Sequence, residues 1–232
     1  MPGLAGQIAV VTGASRGIGA AIARRFAAEG AAVALLARGA DDLEVVRAAI
    51  EAAGGRALAI TADVTETASV NAAAERVRAE LGATYVLVNN AGAALRRPLA
   101  QTTDAQWQSV VGTNLDGSFR CCRAFAADLI ATRGRIINIS SIAGRQGTPL
   151  FTAYCAAKHG VVGLTRALAQ ELRDQGVSVN AICPGSVDTD MLRAAMPGAE
   201  PKMSPDDIAG TALFLAAEAP DALTGSCIDV FG

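Results

Sequence analysis

Two side chains in the segment YCAAK, Tyr154 and Lys158, have the types and spacing that can do chemistry. A phenol with an ordinary pKa of about 10 holds its proton too tightly for exchange at neutral pH, but a neighbouring cation favours phenolate and lowers that value. A spacing of four sets both residues on one face of a helix, one turn apart. Lys158 is then the cation and Tyr154 a general acid or base. Taken singly, Tyr154 also reads as an amphipathic core residue and Lys158 as a solvated helix position. Their neighbours offer less: His159, the single histidine, is expected to point off the Tyr154 face, and Cys155 is expected to be structural. No His, Cys or carboxylate cluster has metal-ligand spacing. The five cysteines (Cys121, Cys122, Cys155, Cys183, Cys227) form no CxxC pair. An odd count suits a disulfide framework poorly, so small buried apolar roles are expected for them.

A second constellation lies near the start. TGASRGIG follows the first apolar run and sets Gly13, Gly17 and Gly19 in a GxxxGxG turn, with Ser15, Arg16 and Ile18 between them. Glycine lets the backbone bend sharply and approach a pyrophosphate, whose charge then meets free N–H groups and the helix dipole. The same glycines also suit a tight strand-to-helix turn with no ligand.

The elements that must position these groups are legible from hydrophobic patterning. Strand-like runs occur at 7–12, 31–37, 57–62, 85–89, 135–140, 177–182 and 227–230, alternating with Ala-rich helical stretches. Several runs are apolar on consecutive residues, the mark of strands covered on both faces and so of a parallel α/β sheet. Thr103 with Gln106, and Ser204 with Pro205 and Asp207, signal helix starts. Gly30, Gly54, Gly82 and Gly176 signal helix ends.

Composition limits the function classes. With 51% hydrophobic and 18% charged residues, and no Pro-, Ser- or charge-rich linker, residues 1–232 read as one domain. A net charge of −2 without clustered Lys and Arg argues against nucleic acid as a partner. No apolar run approaches the roughly 18 to 20 residues of a membrane span, and no cleavable leader is evident, so a cytoplasmic protein is expected.

In combination these motifs resemble the short-chain dehydrogenase/reductase family. TGASRGIG fits that family's TGxxxGxG rather than GxGxxG, and further matches continue in register. Asp63-Val64 follows the third strand, Asn89-Asn90-Ala91-Gly92 is an NNAG motif after the fourth, and Pro184-Gly185 with Thr189 matches PGxxxT. The resemblance implies a Rossmann-type, doubly wound, parallel seven-stranded sheet flanked by helices, and an oxidoreductase moving a hydride between nicotinamide and a carbonyl or secondary alcohol. It implies four catalytic residues: Tyr154 as acid, Lys158 also bonding the nicotinamide ribose, Ser141 donating to the substrate oxygen, and Asn114, in the long fifth helix, fixing a water with its backbone. Asp63 is expected to bond the adenine amino group. Cofactor contacts are expected from Gly13, Ser15, Arg16, Gly17, Ile18, Gly19, Arg38, Asp63, Val64, Asn90, Ala91, Gly92, Tyr154, Lys158, Pro184, Gly185, Val187 and Thr189.

NAD-preferring relatives end the second strand with an acidic residue. Here that position is Ala37, followed by Arg38, and with Arg16 in the glycine turn two guanidiniums are available to a 2′-phosphate. NADP(H) is therefore favoured over NAD(H). Within the family the sequence is most similar to 3-oxoacyl-acyl-carrier-protein reductases and related carbonyl reductases. This implies a carbonyl or acyl-thioester substrate, leaves room for an acyl carrier protein as partner, and implies a homotetramer. Substrate contacts are expected from Ala93 to Arg96, Ile142 to Gln146, and the segment after Pro184. The short stretch between Thr189 and Ser204 implies a reduced lid and an open site. The ending CIDVFG puts Phe231 where the family more often has an acidic residue. The alternative is a non-catalytic NADP(H)-binding sensor or docking domain, against which the intact Ser141, Tyr154 and Lys158 argue.

Overall fold

The computed structural model describes residues 3–232. Seven parallel strands form one sheet in the order β3-β2-β1-β4-β5-β6-β7. They are β1 (Ile8–Thr12), β2 (Ala32–Ala37), β3 (Arg56–Thr61), β4 (Val86–Asn89), β5 (Arg135–Ile139), β6 (Ser178–Pro184) and β7 (Cys227–Val230). The helices between them are α1 (Gly17–Ala28), α2 (Ala40–Ala52), α3 (Thr67–Glu80), α4 (Asp104–Val111), α5 (Gly117–Thr132), α6 (Thr152–Glu171), α7 (Asp190–Ala195) and α8 (Pro205–Leu213).

Each sheet face carries its own apolar layer, as expected where strands are buried on both sides. Phe26 and Ile22 of α1, Leu43 of α2 and Ile208 of α8 pack with Val33 and Leu35 on one face. Val77 of α3 and Phe125 and Leu129 of α5 pack with Leu36, Leu87 and Ile136 on the other. The alternation Val33, Leu35 against Ala34, Leu36 is the period-two pleat of β2 assigned to two opposite cores. Both foreseen helix starts form capping boxes, Gln106 N donating to Thr103 Oγ1 at 3.2 Å and Ser204 N donating to Asp207 Oδ2 at 2.7 Å.

The centre of the sheet holds a polar chain. Asn89 of β4 lies in register with Asn138 of β5 and donates to its Oδ1 at 2.8 Å; Asn138 Nδ2 donates to Thr165 Oγ1 of α6 at 2.9 Å. These bonds tie two central strands to the helix that carries Tyr154. Because β1 lies between β2 and β4, successive crossovers leave it in opposite directions. A crevice therefore opens at the carboxyl ends of β1 and β4, the place where such sheets bind ligands.

Two expectations need correction. Asn114 is in a π-helical turn, Gly112–Asp116, that joins α4 to α5, rather than within α5 itself; the extra residue per turn re-aims its side chain. Of the cysteines, Cys121, Cys122 and Cys183 are buried, but Cys155 and Cys227 are only partly so.

Candidate active site

The turn after β1 is shaped by close backbone approach. Gly13 and Gly17 have φ of 63° and 55°, the left-handed region that glycine enters without a Cβ clash. A Cβ on Gly19 would lie 2.3 Å from Gly13 O, and one on Gly13 would lie 2.9 Å from Ala91 Cα. Thr12 and Asn90 lock the two strand ends together. The Thr12 hydroxyl accepts from Asn90 N and Ala91 N, both at 3.0 Å, and Asn90 Nδ2 donates to Thr12 O at 2.9 Å and Gly13 O at 3.1 Å. Sequence reasoning had not singled out Thr12, because its partners lie 78 and 79 residues away.

Helix α1 begins at this turn with no side chain capping its N-terminus. Its free N–H groups and dipole therefore face the crevice, a setting suited to an anion. Arg16 precedes the helix, and Arg38 follows β2; both are exposed. Thr189, at the start of α7, reaches the same turn, since a Cβ on Gly17 would lie 3.3 Å from its methyl. Asp63, after β3, accepts from Thr65 N at 2.9 Å and Thr65 Oγ1 at 2.7 Å. Burial pushes its carboxyl up, but the Thr65 bonds together with Arg38 and Arg120 outweigh this and hold it below the usual carboxylate value. Glycines that admit backbone, an uncapped helix and two exposed guanidiniums fit a dinucleotide.

Beside this turn a cavity of about 400 Å³ is lined by Ser141, Tyr154, Lys158, Pro184, Gly185, Val187 and Thr189, together with Ile18, Asn90 and Gly92. Ser141 ends the segment after β5 and caps a short 3₁₀ turn, its Oγ accepting from Ala143 N at 3.1 Å. Tyr154 and Lys158 rise from the first turns of α6 as the spacing implied, Lys158 Nζ lying 5.6 Å from the Tyr154 ring centre. Lys158 is only 4% exposed, and its Nζ donates to Ile139 O at 2.8 Å.

The electrostatics differ from the simple expectation. Burial pushes the Tyr154 phenol above its ordinary value, with the Ser141 hydroxyl acting in the opposite sense. Lys158 is itself brought down to about 8 by burial. Burial favours the neutral amine, so Lys158 keeps its charge over a narrower pH range than an exposed lysine does.

Asn114 does not line the cavity. It is 1% exposed and packs behind Gly92, Nδ2 donating to Ala93 O at 2.7 Å and Val110 O at 2.8 Å, while Ser118 Oγ donates to its backbone carbonyl at 2.8 Å. Gly13, Ser15, Arg16, Gly17, Gly19, Arg38, Asp63, Val64 and Ala91 likewise lie outside the cavity lining, toward the glycine-turn end and the strands beyond it. Of the expected substrate contacts, Ala94, Ile142, Ala143 and Gln146 line the cavity, but Arg96 is exposed outside it and Arg145 turns away to Asp229 at 3.1 Å. The residues beyond Pro184 do reach the cavity, and there Met191, Leu192 and Met196 supply a wall that no motif announced. His159 is exposed, its ring bonded to Cys155 O at 2.9 Å, off the Tyr154 side as expected.

Comparison with known proteins places these features in a context. The profile of the short chain dehydrogenase family matches residues 7–199. A 3-oxoacyl-[acyl-carrier-protein] reductase of Pseudomonas aeruginosa is 37% identical over 241 residues, covering 99% of this chain and 97% of that protein. A candidate NAD(P)-dependent gluconate 5-dehydrogenase from Beutenbergia cavernae, solved with NADP at low occupancy, superposes with TM-score 0.91 at 38% identity, covering 98% of this chain and 96% of its own. A single-substitution variant of the actinorhodin polyketide ketoreductase, solved with NADPH, gives TM-score 0.91 at 35% identity, covering 97% of this chain and 96% of its own.

Proposed function

The chain belongs to the short-chain dehydrogenase/reductase family, and on that premise we propose that it is an NADP(H)-dependent reductase of a ketone or 3-oxoacyl thioester, with Tyr154 as the general acid. The observation that carries this reading is the convergence of Ser141, Tyr154 and Lys158 on one cavity beside the glycine turn. Gly13, Ser15, Gly17, Ile18, Gly19 and the α1 N-terminus would hold the pyrophosphate. Arg16 and Arg38 would meet the 2′-phosphate, and Asp63 with Val64 the adenine. Asn90, Ala91, Gly92, Pro184, Gly185, Val187 and Thr189 would border the nicotinamide half. The bound nicotinamide supplies the hydride for the carbonyl carbon.

The remaining chemistry belongs to the chain. Ser141 Oγ donates a hydrogen bond to the carbonyl oxygen and stabilises charge developing there. Tyr154 keeps its phenolic proton through neutral pH because burial raises its pKa, and it delivers that proton to the same oxygen. Lys158 Nζ, with its pKa brought down to about 8, replaces the proton or bonds the ribose. Asn114 acts through its backbone and through the loop after β4 that it braces at Ala93. The protein is further proposed to act in the cytoplasm as a homotetramer, with an acyl carrier protein as a candidate donor of substrate.

Tyr154→Phe tests the acid assignment. Turnover of NADPH with any active ketone should fall by about 10² to 10⁴, while the NADPH dissociation constant stays near wild type. Near-normal kcat in that variant would remove Tyr154 from the role. NADPH binding with no turnover of any carbonyl by the wild type would favour a sensor instead.

A further inference from the structure

Beyond Ser141 and Tyr154 the cavity runs between two apolar banks. Ile142 and Phe151 form one; Met191, Leu192 and Met196, from α7 and its end, form the other. Phe151 is buried and set edge-on to Tyr154 with ring centres 6.1 Å apart, so its ring forms apolar wall directly beside the phenol. The polar side chains at this end, Gln146 and Thr148, are both uncharged.

Among the described residues the lining contains one charged side chain, Lys158, and its ammonium is engaged with Ile139 O. Arginines nearby in sequence are held elsewhere. Arg145 pairs with Asp229 at 3.1 Å, and Arg193 pairs with Asp188 at 2.6 Å and Asp190 at 3.3 Å. Arg96 and Arg97 are exposed and outside the lining. A carboxylate drawn into this end would lose its water and meet no counter-charge. A polyol would find only Gln146 and Thr148 as side-chain partners at this end, fewer than its hydroxyls need, whereas methylenes would bury against thioethers and an aromatic ring.

We propose that this end of the cavity selects uncharged carbonyl substrates bearing an apolar arm, with Phe151, Met191 and Met196 as specificity-determining residues, and rejects sugar acids and other anionic oxo-compounds. The proposal rests on the reductase reading above and gives its substrate a chemical class. It also separates this chain from the candidate gluconate 5-dehydrogenase that it resembles in fold. The two methionines are 39% and 41% exposed. Flexible thioethers at the mouth adapt to the shape of an arm, so the selection acts on polarity more than on length.

Acetoacetate and its ethyl ester share the reacting ketone and differ in the carboxylate. With NADPH, kcat/KM should favour the ester by about a hundredfold or more, and ethyl 3-oxohexanoate should do at least as well. Met196→Arg supplies the missing counter-charge at an exposed position and should raise kcat/KM for acetoacetate by about tenfold. Equal values for acid and ester in the wild type, or no gain in Met196→Arg, would overturn the proposal. Calorimetry on the NADP-loaded protein removes the dependence on turnover. Hexanamide should bind and gluconate should not, whereas gluconate binding as tightly as hexanamide would overturn the selectivity. Hexanamide binding without turnover of any ketone would overturn the reductase reading and leave the selectivity standing.

Discussion

Lys158 is the residue at which fold and chemistry pull in opposite directions. Its pKa falls from 10.5 to about 8 because burial penalises the ammonium. Below pH 8 both folded and unfolded chains carry the charge, so the full penalty, about 3 kcal/mol, burdens the fold. Between pH 8 and 10.5 the folded chain has released the proton and the unfolded chain has not; stability from this group therefore rises with pH across that window. Lys158→Met removes the penalty and loses one hydrogen bond to Ile139 O, which offsets about 1 kcal/mol. In the cofactor-free protein the variant should melt higher than wild type at pH 7, with the difference shrinking toward pH 10.5. A lower melting temperature at pH 7 would show that the ammonium is solvated or paired in the fold. Arg38 is the complementary case, an exposed cation close enough to Asp63 to depress its carboxyl. Arg38→Ala should weaken NADPH binding by about 1.5 to 3 kcal/mol, ten- to a hundredfold or somewhat more, and leave NADH unchanged. Equal losses for both cofactors, measured at fixed salt, would remove it as the selector.

At the scale of elements, the glycine turn is where a single methyl has the largest consequence. Gly19→Ala would push a Cβ to within 2.3 Å of Gly13 O and 2.4 Å of Asn90 Nδ2, so the turn must move away from both strand ends. NADPH affinity should drop by at least about tenfold, while Gly54→Ala, strained by φ of 83° but clear of neighbours, should affect stability alone. Unchanged affinity in Gly19→Ala would mean that the turn does not hold the cofactor. The same element explains what was legible in the sequence. Glycine spacing, the Tyr154–Lys158 spacing and consecutive apolar strands are local patterns, and they located all seven strands and the residues of the turn. β6 runs on to Pro184 rather than ending at Ile182 because Cys183 and Pro184 pair with Asp229 and Val230, far along the chain. The π turn at Asn114, the Lys158 bond to Ile139 and the Arg145–Asp229 pair were hidden for the same reason. Each depends on backbone placement or on a partner 19 to 84 residues away, about which local patterning carries no information.

Among the described residues the open sheet ends in two edge strands, β3 and β7, and several large apolar side chains are exposed. β7 is a short edge strand with one pairing partner among the described residues, β6, and an unpaired edge is a template for further association unless something covers it. Phe231 directly follows that strand and is 45% exposed; Phe214, in the turn after α8, is 41% exposed. A separate set lies along the α4–α5 helix, where Trp107 is 40% and Phe119 46% exposed. Single exposed hydrophobics are ordinary, but aromatic residues are enriched at protein interfaces. Two such regions on different elements suit two different two-fold contacts, the arrangement that closes a tetramer of dihedral symmetry. Phe231 also bears on the site, since it packs against Gly185, where an added Cβ would lie 3.5 Å from its Cα. A subunit contact at this edge would therefore steady the wall beside the nicotinamide position. Light scattering should give a mass about four times that of the 23.5 kDa chain. Phe231→Glu, which puts a carboxylate at one contact and leaves the other intact, should yield dimers with weakened NADPH turnover. Phe119→Glu should also yield dimers, through loss of the other contact. A stable wild-type monomer at micromolar concentration would rule out the tetramer, and a tetramer that survives both substitutions would place its contacts elsewhere on the surface.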